Sequence, residues 1–252
     1  MSNAKKRSRA EARERAARMR EEQRRTEKRR RAGLSAAAVL VVLTLAVVVG
    51  LAVQSTRDQA PAGTSTVPAH AVQQGTGFAV GDADAPVTVT AYEDFQCPAC
   101  RAVEAATGPT LRRLTHEGSV RVVYKPMAIL DDASTTAYST RALNAAACVA
   151  DRAGVAAYDR FHRILFTHQP PEGSAGLPDT ALIRLADRAG ATGHGIEDCI
   201  HSQDFEGWTQ KVTTAASRAG VNATPTVLVD GQLLRTPTPS NLTRAVRAAE
   251  KS

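Results

Sequence analysis

Two cysteines separated by two residues, Cys97 and Cys100 in the run CPAC, are the part of this 252-residue sequence best equipped for chemistry. Such a pair can ligate a metal, form a structural cross-link, or cycle between dithiol and disulfide. Structural zinc takes four Cys or His ligands, typically as two close pairs. Here Cys148 and Cys199 stand far apart and the six histidines are scattered. Soft Cu(I) suits thiolates, yet no His or Met flanks the motif, so no metal or other cofactor is expected. As a staple the pair would close a tiny loop, and short loops stabilise least. As a redox pair the placement has a purpose, provided that a helix begins at the first cysteine.

The sequence supplies that helix. Residues 87–92, VTVTAY, alternate β-branched and small residues and read as a strand. From Pro98 the pattern turns helical, with Ala102, Val103, Ala106, Leu111 and Leu114 available for an inner face and a break or bend expected at Gly108-Pro109. Cys97 then sits among unpaired N–H groups at the positive end of the helix dipole, which favours its thiolate. Thiol pKa values of about 3.5–7.5 are typical of such positions, against about 8.5 for a free cysteine. A stabilised thiolate leaves readily, so the disulfide becomes an electron acceptor. Cys97 is expected to be the exposed, reactive sulfur and Cys100 the buried resolving one.

Further elements follow. Residues 120–124 read as a second strand, and an alanine-rich block at about 134–218 holds four helices, roughly 134–152, 155–168, 179–189 and 196–218, the last interrupted near Asp204. Tyr158, Phe161, Leu165 and Phe166 form a core-packing stripe. Strand 226–229, an Asp230-Gly231 turn and residues 232–234 make a hairpin, before a last helix from a Ser240 N-cap to about Glu250. The order is strand, helix, strand, helical block, hairpin, helix.

YEDFQCPAC after a strand, a helical block, and then GVNATPTVLVDGQ together resemble the DsbA-like branch of thiol:disulfide oxidoreductases, from about Phe78 to Ser252. The resemblance implies an α/β thioredoxin fold with an inserted helical block. It also implies a cis proline facing the reactive pair, which by motif is Pro225, preceded by Thr224. A proline there brings no N–H and little bulk, and the backbone before it can pair with an extended peptide. Strongly oxidising relatives carry histidine where this chain has Ala99; with Pro98-Ala99 between the cysteines a milder oxidant is expected. Either Glu93 or Asp94 could be the acid that assists proton transfer to the buried cysteine in this fold, and solvated charge at a strand end is an equal reading.

Cys148 and Cys199 both fall in helices of the insertion, and a structural disulfide is the favoured reading over a second redox relay or free thiols. The histidines default to surface or helix-packing positions. Asn222-Ala223-Thr224 matches a glycosylation sequon, but the proline-loop reading takes precedence.

The N-terminal third organises the chain differently. The net charge of +7 comes from residues 1–32, which hold 14 Lys/Arg against 5 Asp/Glu, a surplus of +9 that leaves −2 for the rest. This basic tail is a solvated polar helix or an arm on anionic lipid; no aromatic residues accompany it, so nucleic acid is not expected. Residues 33–53 carry no charge and no proline, and as a helix reach about 30 Å, one hydrocarbon core. Gly50-Leu51-Ala52 could pass as a signal cleavage site, but the apolar run exceeds the roughly 7–15 residues of a cleaved signal. Lys and Arg beside a span stay cytoplasmic, so everything after it is expected outside the cell membrane, where disulfides persist. Residues 54–78 read as a flexible tether, and the fold as 79–252.

The expected protein is a tethered monomer that forms disulfides in exported cysteine-containing proteins and is reoxidised, by resemblance, by a membrane quinone-linked partner. Its alternatives are a reductase or isomerase, and a non-catalytic binding module or copper chaperone on the same fold.

Overall fold

The computed structural model describes residues 66–251. The basic tail, the apolar span 33–53 and the tether as far as 65 lie outside the described residues. No helix among the described residues is long and apolar enough to cross a membrane.

Among the described residues six strands form one mixed sheet, in the order β1 (Ala71–Val72), β2 (Gly77–Val80), β4 (Val120–Pro126), β3 (Val87–Glu93), β5 (Thr226–Val229) and β6 (Gln232–Leu233). β3 (Val87–Glu93) runs parallel to β4 (Val120–Pro126) and antiparallel to β5 (Thr226–Val229). This central position buries both faces at its end, where Ala91, Tyr92 and Glu93 are all buried. β6 (Gln232–Leu233) follows β5 through a two-residue turn. Asp230 and Gly231 there have φ of 44° and 78°, the positive values that the favoured hairpin turn requires.

The fold begins earlier than expected. β1 (Ala71–Val72) and β2 (Gly77–Val80) extend the sheet beyond β4, so residues 66–78 are not tether. Phe78 is fully buried, with its ring 4.4 Å from Tyr158 and 5.5 Å from Trp208, and the Trp208 indole donates to the Gly75 carbonyl at 2.6 Å. One aromatic and one distant tryptophan anchor a segment whose local composition is that of a linker.

α1 (Pro98–His116) starts with Cys97 as N-cap and Pro98 in its first turn, and it continues through Gly108-Pro109 instead of breaking. Pro109 and Ala105 are both exposed, so the Ala105 carbonyl, which loses its helical partner to proline, faces solvent. α2 (Tyr138–Thr167) joins the two helices expected at 134–152 and 155–168 across a non-helical Gly154. Its start is later because Asp131–Ala133 form a 3-10 turn and the Ser134 hydroxyl accepts from Tyr138 N–H at 3.2 Å. α3 (Asp179–Arg188), α4 (His194–Ser202) and α5 (Glu206–Arg218) complete the block, the last two separated near Asp204. α6 (Pro239–Ala249) is capped by Thr238, not Ser240: its hydroxyl accepts from Asn241 N–H.

Cys148 and Cys199 form a disulfide between α2 and α4, with Cα atoms 5.9 Å apart. The buried Asn144 reinforces the same junction by accepting from Phe205 N–H at 2.9 Å.

Candidate active site

Cys97 and Cys100 are free thiols at the N-terminus of α1, and the Thr224–Pro225 bond opposite them is cis. The Cys97 thiol points at the Thr224 carbonyl across 3.6 Å. The two motifs, at opposite ends of the folded chain, therefore meet. Pro98 and Ala99 are exposed between the cysteines.

Cys97 is less open than expected, at 7 % exposure, with Cys100 at 2 %. The segment after α2 packs beside the motif. Gln169 donates from its side chain to the carbonyls of Phe95 and Cys97 at 3.1 and 2.9 Å. Gln96 donates to those of Pro171 and Ser174, both at 3.2 Å. These bonds fasten the 169–174 loop beside the motif, a long-range contact that local sequence does not announce.

The thiols are pushed in opposite directions. Cys97 is lowered to about 5, chiefly because the Cys100 thiol donates to its thiolate. Burial opposes this, while the Thr224 side chain and the backbone N–H groups of Cys100 and Ala99 assist. Cys100 is raised, first because that same hydrogen bond requires its proton, then by burial. A thiolate and a retained thiol, held together, are what sequential sulfur exchange requires.

Glu93 and Asp94, equivalent in sequence, are distinct here. The Asp94 carboxylate accepts from Gln96, Ile129 and Leu130 N–H groups and from the Ser139 hydroxyl at 2.6–3.1 Å. It ties three loops and elements together. Burial nonetheless raises it to about 6 against the pull of those bonds. Glu93 instead turns inward and pairs with the fully buried His162. His162 is raised: burial would lower it, but the charge and hydrogen bond of Glu93 outweigh that. This residue was expected at the surface or in helix packing. Its signal was its place four residues from both Tyr158 and Phe166, on the buried stripe. Among the described residues no group of three His, Cys, Asp or Glu is placed to hold a metal ion.

A thioredoxin family model matches residues 73–248. The chain belongs to the thioredoxin family. Among solved structures, this thioredoxin-family chain is similar to the reduced disulfide bond oxidoreductase DsbG of Mycobacterium tuberculosis, with 35 % identity and a TM-score of 0.63 over 75 % of this chain and 91 % of that one. It is similar to oxidised DsbA of the same organism, with 37 % identity and a TM-score of 0.62 over 70 % and 93 %. BdbD of Bacillus subtilis, 18 % identical with a TM-score of 0.64, shares the fold. Among curated proteins, the Mycobacterium tuberculosis serine/threonine-protein kinase PknE is 33 % identical over 165 residues, which are 63 % of this chain and 29 % of the kinase. A Na(+)/H(+) antiporter, NhaA 3 of Salinispora tropica, is 30 % identical over 152 residues. The chain thus spans under a third of these relatives' lengths. Its structural neighbours are thiol:disulfide oxidoreductases.

Proposed function

We propose that this chain is a membrane-tethered, extracytoplasmic thiol:disulfide oxidoreductase that forms disulfides in exported proteins through Cys97 and Cys100. The observation that carries the reading is the divergence of two neighbouring thiols, Cys97 lowered to about 5 and Cys100 raised, opposite a cis Thr224–Pro225. In the oxidised form a substrate thiolate attacks Cys97, a substrate–Cys97 disulfide forms, and the electron pair of the broken bond stays on Cys100. The substrate's second thiolate then attacks its own sulfur in the mixed disulfide and releases Cys97 as thiolate. Thr224 and Pro225 receive the substrate as an extended segment. The enzyme leaves reduced by two electrons, and a membrane quinone-linked partner takes them.

Pro98 and Ala99 set the potential. Cys97 near 5 lies above the value of about 3.5 known for the most acidic CxxC thiols, so we assign a milder oxidant. Residues 33–53 serve as the anchor, with the tail of 1–32 in the cytoplasm. A reporter active only in the cytoplasm and fused after Ser252 should be silent; activity would reverse the topology.

The deciding experiment equilibrates the full-length protein with glutathione mixtures, beside Cys97→Ser. A reversible two-electron transition, lost in the variant, is expected. A strongly reducing equilibrium would turn the reading to a reductase or isomerase. No transition at all would leave a non-catalytic module.

A further inference from the structure

A groove of about 790 Å³ opens to solvent between α1 and α2, walled by Arg101 and Arg112 of the first helix and Arg160 and Arg163 of the second. Its floor is apolar, with Ala105 and Pro109 on one side and Ile164 and Phe166 on the other. Two of the arginines are matched: Arg112 lies 3.4 Å from the Glu104 carboxylate and Arg163 3.1 Å from that of Asp159. Arg101 and Arg160 are exposed, and among the described residues no carboxylate pairs with either. Arg160 donates its Nε–H to the Ala189 carbonyl at 2.8 Å, which holds the side chain in place and leaves its charge unmatched. The groove thus keeps a surplus of positive charge, although residues 33–252 together carry −2.

The groove starts at the reactive sulfur. Positions 97, 101, 105, 109 and 112 fall in one row along α1 by helical spacing, and the Arg101 N–H donates to the Cys97 carbonyl at 3.2 Å. The other wall begins at the same place: Thr167 ends α2 and lines the groove, and Gln169 just beyond it donates to the Cys97 carbonyl at 2.9 Å. Counted from Cys97, the two arginines of α1 stand about 6 and 22 Å along the helix axis, the reach of about two to seven residues of extended peptide at about 3.3 Å each.

We propose that this groove receives an acidic segment of the substrate, so that the protein selects exported proteins with Asp or Glu within that reach of the cysteine it oxidises. The proposal rests on the redox role of Cys97 and Cys100 stated above and names the substrates that the site prefers. Side chains of an extended segment point alternately to opposite sides, which suits carboxylates against the arginine walls and apolar groups against the floor. Guanidinium binds carboxylate through two parallel hydrogen bonds, and a recess with a low-dielectric floor strengthens the attraction. A bilayer surface is broad, whereas these charges stand on the walls of a recess that a single extended chain can enter.

The test uses full-length oxidised protein and two-cysteine peptides flanked, on either side, by Asp/Glu, by Asn/Gln or by Lys. Glutathione equilibration of wild type comes first. Absence of a reversible transition there means that the redox reading has failed, and the groove is then read separately by the anisotropy of labelled peptides with Ser in place of Cys. Given the transition, stopped-flow reduction of the protein by each peptide is divided by that peptide's rate with hydroxyethyl disulfide, which removes the effect of flanking charge on its own thiols. The acidic peptide should react about 10-fold faster than the neutral one at low salt, the low end for electrostatically steered encounter. The difference should fade at 1 M salt, where screening acts within about 3 Å. In Arg101→Gln/Arg160→Gln the acidic-to-neutral ratio should fall close to one. Arg244→Gln/Arg247→Gln removes the same charge from the exposed face of α6 and should keep the ratio. A wild-type ratio near one would overturn the proposal, as would an equal fall in both double variants, which would reduce the effect to net charge. Binding of dihexanoyl phosphatidylglycerol that is lost in Arg101→Gln/Arg160→Gln, with no discrimination among the peptides, would give the groove to a lipid headgroup and overturn it as well. Should that double variant fail to fold, Arg101→Gln decides by the same ratio: a fall supports the proposal and the wild-type value refutes it.

Discussion

Cys97 and Cys100 carry identical side chains, and position alone separates them. Cys97 holds the N-cap, where backbone N–H groups and the Cys100 thiol stabilise its charge; Cys100, a turn deeper, keeps the proton that makes that bond. The helix start and the reactive pair were legible because proline and cysteine types act locally. The burial of Cys97 was not, since the groups against it, Gln169 on its carbonyl and Thr224 before its sulfur, come from distant loops. The thiolate absorbance of the reduced protein should titrate with a midpoint of about 5 and vanish in Cys97→Ser. Stability follows with a definite sign. The folded pKa lies below the unfolded value of about 9, so ionisation stabilises the reduced fold. That contribution is complete above the unfolded pKa and is lost as pH falls through about 5. Cys100, being raised, does not titrate within this window. Denaturant unfolding of reduced and oxidised protein between pH 5 and 8 should show the reduced form gaining on the oxidised as pH rises. A constant difference would contradict the assignment of the thiolate to Cys97.

Elements were legible where periodicity was strong and misjudged where one residue type was given too much weight. The proline at 109 predicts a break or a bend, and the helix does not break there because Pro109 falls on an exposed face where a freed carbonyl costs little. Residues 71–78 read as linker because their single large anchor, Phe78, needs Tyr158 and Trp208 to make sense of it. Gly154, in contrast, separates two helices as the pattern suggests, at φ 79° and ψ 173°, a region open essentially only to glycine. Nothing lies within 4 Å of a Cβ added there, so the penalty of Gly154→Ala is conformational alone. Urea unfolding should show a loss of about 1–3 kcal/mol with the Cys97 titration unmoved. Unchanged stability would mean that the two halves of α2 can meet through a different backbone.

At the scale of the molecule, the site is an assembly of residues that local reading cannot bring together: Cys97 from a helix start, Thr224 from a loop and His162 from the insertion. Motif resemblance supplied the first two. The buried pair of His162 and Glu93 depends on which face of α2 meets the end of β3, which is a tertiary fact. The same packing partitions the two cysteine pairs. Cys148 lies in α2 before the Gly154 break and His162 after it, so the staple and the buried charge pair belong to different halves of one helix. Closing a loop of 51 residues stabilises by roughly 3–4 kcal/mol on the chain-entropy model. Cys148→Ala/Cys199→Ala should lose about that much in denaturant unfolding while its glutathione equilibrium at Cys97 and Cys100 stays at the wild-type value. Cys148 and Cys199 are both fully buried, so mild reductant on the native protein should open Cys97–Cys100 first. Mass mapping of alkylated peptides reads the order. Labelling of Cys148 before Cys97 would mean that the helical block, not the α1 terminus, carries the labile disulfide, and would remove the basis for assigning exchange to the CPAC pair.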